Sequence, residues 1–183
     1  GAFLAALPVG AALPAQGAVD VLITGAMVYD GTGAAGRITN VGIRGDRIAF
    51  VGAIPSGTTA VRRIDATGLI VSPGFIDPHT HAYEGLPRLN AERRLSASSL
   101  MQGVTTVTIG PDGRGPFDVK RIFDESEKLG LGTNAYATVG FGTVRSHVMG
   151  ASSAPATKVQ IDSMRALITK AMKEGALGVG SGL

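Results

Sequence analysis

The sequence predicts an α/β chain in which a small antiparallel β-sheet domain precedes about four β/α units. Three observations point there. Between residues 18 and 73, short runs rich in β-branched residues alternate with glycine-containing turns. From Phe75 onward the texture becomes strand, helix, strand, with glycine at the helix stops Gly103, Gly130 and Gly175. The 183 residues are 44% apolar and 17% charged, a composition that buries a core rather than staying disordered.

The first elements follow from period-two alternation. Residues 19–24, 27–30, 40–44, 47–51, 61–65 and 69–71 read as strands, with turns at Gly31-Thr32-Gly33 and Gly45-Asp46. In the second part, residues 75–79, 105–109 and 134–139 read as strands, and a fourth strand begins at Leu177. Helices are expected over residues 90–102, 119–129 and 157–174. The last is the best defined. Ile161, Met164, Leu167, Ile168 and Ala171 recur at helical spacing, and Thr157 with Gln160 fits a capping box. Four β/α repeats imply a parallel sheet with right-handed crossovers, either a small open sheet or the first half of a barrel. A complete eightfold barrel needs roughly 250 residues, so the chain does not hold a whole one.

Residues 1–17 carry no charge, and an apolar stretch leads to Ala15-Gln16-Gly17. This reads as the remnant of a signal peptide, which predicts a secreted or periplasmic protein with no membrane anchor after cleavage. Pro8 and Pro14 interrupt the run, and a membrane-spanning helix needs about 20 apolar residues.

Composition narrows the chemistry. Lys and Arg number 17 against 14 Asp and Glu, a net charge of +3, and Arg62-Arg63 and Arg93-Arg94 are the densest basic clusters. Neither is flanked by aromatics, so no nucleic-acid partner is expected. The chain has no cysteine, which excludes disulfides, cysteine-ligated zinc and thiol nucleophiles.

Two of the three histidines lie in Asp77-Pro78-His79-Thr80-His81. On a strand, positions i and i+2 project to one face, so both imidazoles can reach one point. Such a pair at a strand end makes half of a divalent metal site, with zinc the first expectation. Asp77 shares that face and is expected to orient a histidine by accepting its second ring N–H.

The segment from Val71 to His81 contains Pro73-Gly74-Phe75-Ile76-Asp77-Pro78-His79-Thr80-His81 and resembles the opening signature of the amidohydrolase superfamily. Residues 45–52 and 65–68 resemble the small β domain of that superfamily, the urease/amidohydrolase composite type, placed here at 18–73. Gly103-Val104-Thr105-Thr106-Val107 and Glu174-Gly175-Ala176-Leu177-Gly178 resemble one branch, the N-acyl-D-amino-acid deacylases or D-aminoacylases.

The resemblance implies that residues 74–183 form the first half of a (β/α)8 barrel with one or two divalent metal ions, Zn2+ foremost, at its strand ends. His79 and His81 would be metal ligands. Asp112, in Gly110-Pro111-Asp112-Gly113, stands where that branch often has a ligand cysteine, and Pro-Asp-Gly is also a good turn sequence. Arg145 is a substrate-loop candidate, and His147 reads as a surface or packing residue. The implied reaction is metal-assisted hydrolysis of a small-molecule amide, most directly an N-acyl-D-amino acid. Its general-base aspartate and remaining ligands are expected beyond Leu183, so no catalytic residue is assigned within the chain. A fragment of this kind is expected to be inactive alone, to hold zinc weakly and to aggregate through its open sheet edges.

Two alternatives stand beside this reading. Dihydroorotase-like or hydantoinase-like cyclic-amide hydrolases use a carboxylated lysine near the fourth strand, and residues 177–183 contain none. A non-catalytic scaffold would be expected to have lost the histidine pair. The sequence leaves oligomeric state open.

Overall fold

Strand β1 (Ala18–Val28) joins into one element the two apolar runs that the sequence separates at Gly25. The joint is a bulge, with the register shifting between Ile23 and Ala26 and Gly25 at φ 70°. Asn40 secures it by accepting the Gly25 N–H at 3.3 Å and donating to the Gly52 carbonyl at 3.0 Å.

The computed structural model describes residues 17–81 and 90–182. These divide into two units, the first ending at Pro73 and the second starting at Gly74. The signal-peptide reading falls on residues 1–17 and, Gly17 apart, lies outside the described residues.

In the first unit, β2 (Arg37–Arg44) and β3 (Arg47–Gly52) continue from β1 as antiparallel hairpins. Strands β4 (Thr59–Asp65) and β5 (Ile70–Val71) instead join β1 in parallel. The sheet is therefore mixed rather than antiparallel. The reason is topological: β3 and β4 sit on opposite edges in the order β3-β2-β1-β4, and residues 53–58 cross over instead of folding back as a hairpin. Its buried cluster is small, namely Ala26, Val28, Val41 and Ala66, bordered by Ile23, Ile43, Val51 and Val71.

The second unit begins with β6 (Phe75–Asp77) and the short helices α1 (Ala91–Arg94) and α2 (Ala97–Leu100). There follow β7 (Val104–Ile109), α3 (Val119–Leu129), β8 (Asn134–Gly140) and α4 (Phe141–Met149). Helix α5 (Lys158–Lys173) and β9 (Gly178–Gly180) complete it. All pairings are parallel, in the order β6-β7-β8-β9. Each strand thus lies beside its successor, as consecutive β/α units demand. Ile109, Val119, Ile122, Val139 and Val144 are fully buried between the sheet and its helices. Ile76 on β6 and Leu177 and Val179 at β9 stay exposed on the two outermost strands.

Two elements differ from expectation. The helix expected over 90–102 is broken at Ser96, which adopts φ 49°. Gly132 explains the break: its N–H donates to the Arg94 carbonyl at 2.8 Å, and its backbone packs on Leu95. Helix α4 was not foreseen, because Phe-Gly-Thr-Val-Arg-Ser-His-Val-Met has only a weak apolar stripe. It starts directly from the end of β8 and is held by Val144, which is completely buried. By contrast, α5 has the full capping box, with Thr157 Oγ1 accepting the Gln160 N–H and Gln160 Oε1 accepting the Thr157 N–H at 2.9 Å.

Candidate metal centre

The site is built where β6 runs out. Asp77 ends the strand and Pro78 has no N–H to continue the ladder. The Asp77 carboxylate accepts the His79 backbone N–H at 3.0 Å, an Asx turn that bends the chain over the strand end. Two threonines then pin the segment to β7. Thr108, almost completely buried, donates its hydroxyl to the Asp77 carbonyl at 3.0 Å. Thr80 donates its own to the Thr108 carbonyl at 2.7 Å. Thr80 is thus held against β7 with a histidine on either side of it.

Both imidazoles meet one oxygen. His79 Nε2 lies 3.3 Å and His81 Nε2 3.4 Å from Asp112 Oδ2. The rings sit 6.0 Å apart, centroid to centroid, with their planes at 64°. Asp112 arrives on the turn after β7 in the left-handed conformation, φ 57°, between Gly110 at 87° and Gly113 at 75°. A donor atom from each of the three residues lies within 4.8 Å of the other two. Among the described residues this is the one group of three or more such side chains able to share an ion. It is open to solvent, both histidine side chains being 64% exposed.

Two imidazole nitrogens and one carboxylate oxygen fit a divalent ion. Donors about 2.1 Å from a tetrahedral zinc stand roughly 3.4 Å apart, and three protein donors leave a position free for a reactant. The two donor separations measured at Asp112 match that spacing.

Asp77, Arg145 and the histidine pair differ in detail from expectation. The Asp77 carboxylate engages the His79 main chain rather than an imidazole, its Oδ1 closing the Asx turn. The histidines follow β6 instead of lying on it, since the strand stops at Asp77. Arg145 sits on α4 and donates to the Ser152 carbonyl at 2.7 Å and the Ala154 carbonyl at 3.1 Å. Its guanidinium is a clamp on the connection to α5, drawn there by loop carbonyls that no strand or helix satisfies. His147 packs on Phe117 with ring centroids 4.6 Å apart. Sequence reading missed Thr80 and Thr108, because a hydroxyl inside a β-branched run gives no local sign of a partner on a distant strand.

Known proteins are similar to this chain in sequence and fold. The D-aminoacylase of Alcaligenes xylosoxydans xylosoxydans is 36% identical over 186 residues, spanning 89% of this chain and 37% of that protein. A D-aminoacylase structure solved to define the role of its binuclear metal centre superposes with a TM-score of 0.78 at 34% identity, over 90% of this chain and 38% of that one. The N-acyl-D-glutamate deacylase of Bordetella bronchiseptica, solved with zinc and a phosphonate mimic of the tetrahedral intermediate, superposes with a TM-score of 0.79 at 29% identity, again over 90% and 38%. The chain spans well under half the length of these relatives. Residues 62–181 match the amidohydrolase family, a stretch that runs from within β4 past the end of β9. It takes in the His79–His81 segment, the Asp112 turn and all four parallel strands, and by it the chain belongs to the amidohydrolase family.

Proposed function

We propose that this chain is part of a metal-dependent hydrolase of non-peptide C–N bonds that removes the acyl group from N-acyl-D-amino acids. His79, His81 and Asp112 hold its divalent ion, zinc in the first instance. The convergence of both Nε2 atoms on Asp112 Oδ2 carries the reading. The names of two similar proteins, a D-aminoacylase and an N-acyl-D-glutamate deacylase, support the substrate class. When bound, such an ion supplies Lewis-acid polarisation of a carbonyl and activation of water near neutral pH.

The residues of the chain divide the work. The imidazoles serve as neutral nitrogen donors, and Asp112 brings the negative charge that offsets a dication. Asp77, Thr80 and Thr108 fix the backbone that bears the histidines, so the donors are arranged before the ion arrives. His79, His81 and Asp112 are exposed, so a small amide can reach them. The resemblance to the deacylase branch implies that proton transfer belongs to an aspartate outside these 183 residues. The 183 residues alone are expected to hold zinc weakly and not to turn substrate over. Export from the cytoplasm belongs to the same proposal, on the strength of residues 1–17.

Titration calorimetry of the metal-free chain with Zn2+, alongside an assay for D-amino acid released from an N-acyl-D-amino acid, tests this. One ion per chain is expected, with affinity falling at least about tenfold in His79→Ala, His81→Ala and Asp112→Ala, and no release of amino acid. A chain that takes up no divalent ion overturns the metal reading. Release by the chain alone overturns the assignment of proton transfer to a residue outside it.

A further inference from the structure

The turn that carries Asp112 is held by main chain packed directly on main chain. A Cβ added to Gly140, the last residue of β8, would overlap the Gly115 backbone and come within 2.6 Å of the Gly113 carbonyl oxygen. One added to Gly182, just past β9, would collide with the Asp112 carbonyl oxygen and lie 2.9 Å from its carbon. A Cβ on Gly110 would fall on Gly115 and 2.7 Å from the Thr138 carbonyl oxygen. Hydrogen bonds run through the same contacts. Gly140 donates to the Gly115 carbonyl at 3.1 Å, Thr143 to the Gly113 carbonyl at 3.2 Å, and the Thr138 hydroxyl to the Gly110 carbonyl at 2.6 Å.

Asp112 itself is non-glycine at φ 57°, a conformation that persists where the surroundings impose it. Here Gly182, just past β9, lies against the Asp112 main chain, and Gly140 lies against Gly113 and Gly115 of the same turn. Neither Gly140 nor Gly182 has a positive φ, so backbone freedom is not what these positions require. What they require is the absence of a side chain.

We infer that Gly140 and Gly182 are positioning residues for the metal donor Asp112, setting where its carboxylate meets His79 and His81: Gly182, just past β9, by lying against the Asp112 main chain, and Gly140, at the end of β8, by lying against Gly113 and Gly115 of the same turn. This rests on the metal reading above and extends it: the geometry of one ligand depends on strands that contribute no ligand themselves. Gly178, on the same β9, offers the control, since a Cβ there meets nothing within 4 Å and its φ is not positive.

The test is a double-mutant cycle on zinc affinity, read by calorimetry, with thermal unfolding recorded in parallel. Gly182→Ala is expected to weaken zinc binding about tenfold or more in the wild-type background and to add nothing in the Asp112→Ala background. Gly140→Ala should behave in the same way, and Gly178→Ala should bind like the wild type. Gly182 lies in an exposed segment, so its variant reports even if Gly140→Ala fails to fold. Wild-type affinity in Gly182→Ala overturns the inference, as does an equal loss in both backgrounds, which is what a purely structural role produces. Wild-type affinity in Asp112→Ala overturns the metal reading itself, a separate and distinguishable failure.

Discussion

The Thr80 hydroxyl donates to the Thr108 carbonyl at 2.7 Å, tying the residue between the two histidines to the neighbouring strand. That bond anchors the backbone between the two imidazoles. Thr80→Val keeps the shape but removes the donor, so the segment loses its anchor on β7. Zinc affinity should fall by about tenfold while far-UV circular dichroism stays unchanged, and Thr80→Ser should restore binding. Unaltered affinity in Thr80→Val would show that the Asx turn at Asp77 is sufficient.

The donor set contains nitrogen and oxygen only, in a chain with no cysteine. Soft ions gain nothing from it. Competition calorimetry should rank Zn2+ and Co2+ above Cd2+ for the wild type, and Asp112→Cys should shift the balance toward Cd2+. In the Co2+-loaded proteins a thiolate charge-transfer band is expected for Asp112→Cys alone. A wild-type preference for Cd2+ would contradict an oxygen donor at position 112.

Packing of the second unit hangs on a few fully buried aliphatic residues. Ile122 on α3 is completely buried in the cluster with Ile109, Val119 and Val139. Ile122→Ala should destabilise the unit by about 2–5 kcal/mol in urea unfolding. Thr157→Ala, which removes the α5 cap, should cost about 1 kcal/mol.

Asp65 offers a pH handle in the first unit. The Thr67 hydroxyl, at 2.7 Å, and then the Thr67 N–H, at 3.0 Å, hold its carboxyl below the usual carboxylate value. A depressed folded-state value means stability present above the unfolded pKa and lost as pH falls through the folded one. Thr67→Val should raise the Asp65 midpoint in a side-chain NMR titration. An unmoved midpoint would assign the depression to another source.

Much of the fold was legible because it is written locally. The α5 helix shows in the spacing of Ile161, Met164 and Ile168 and in the Thr157–Gln160 box, features that need no distant partner. The strands β7 and β8 show in their β-branched and apolar runs. Helix α4 stayed hidden because only its contact with the sheet and α5 makes Val144 a core residue.

By itself the sequence determined the alternation of strands and helices, the parallel second unit, and the His79/His81 pair two residues apart. Tertiary structure decided the rest. It set β4 and β5 parallel to β1, broke the helix at Ser96 against Gly132, turned Asp77 to the main chain and brought Asp112 from the far side of β7 to both imidazoles. The physical reason is common to all four. Periodicity and capping report what a residue does with neighbours a turn or two away. Crossovers, close glycine contacts and hydrogen bonds between strands exist only once the chain has folded back on itself.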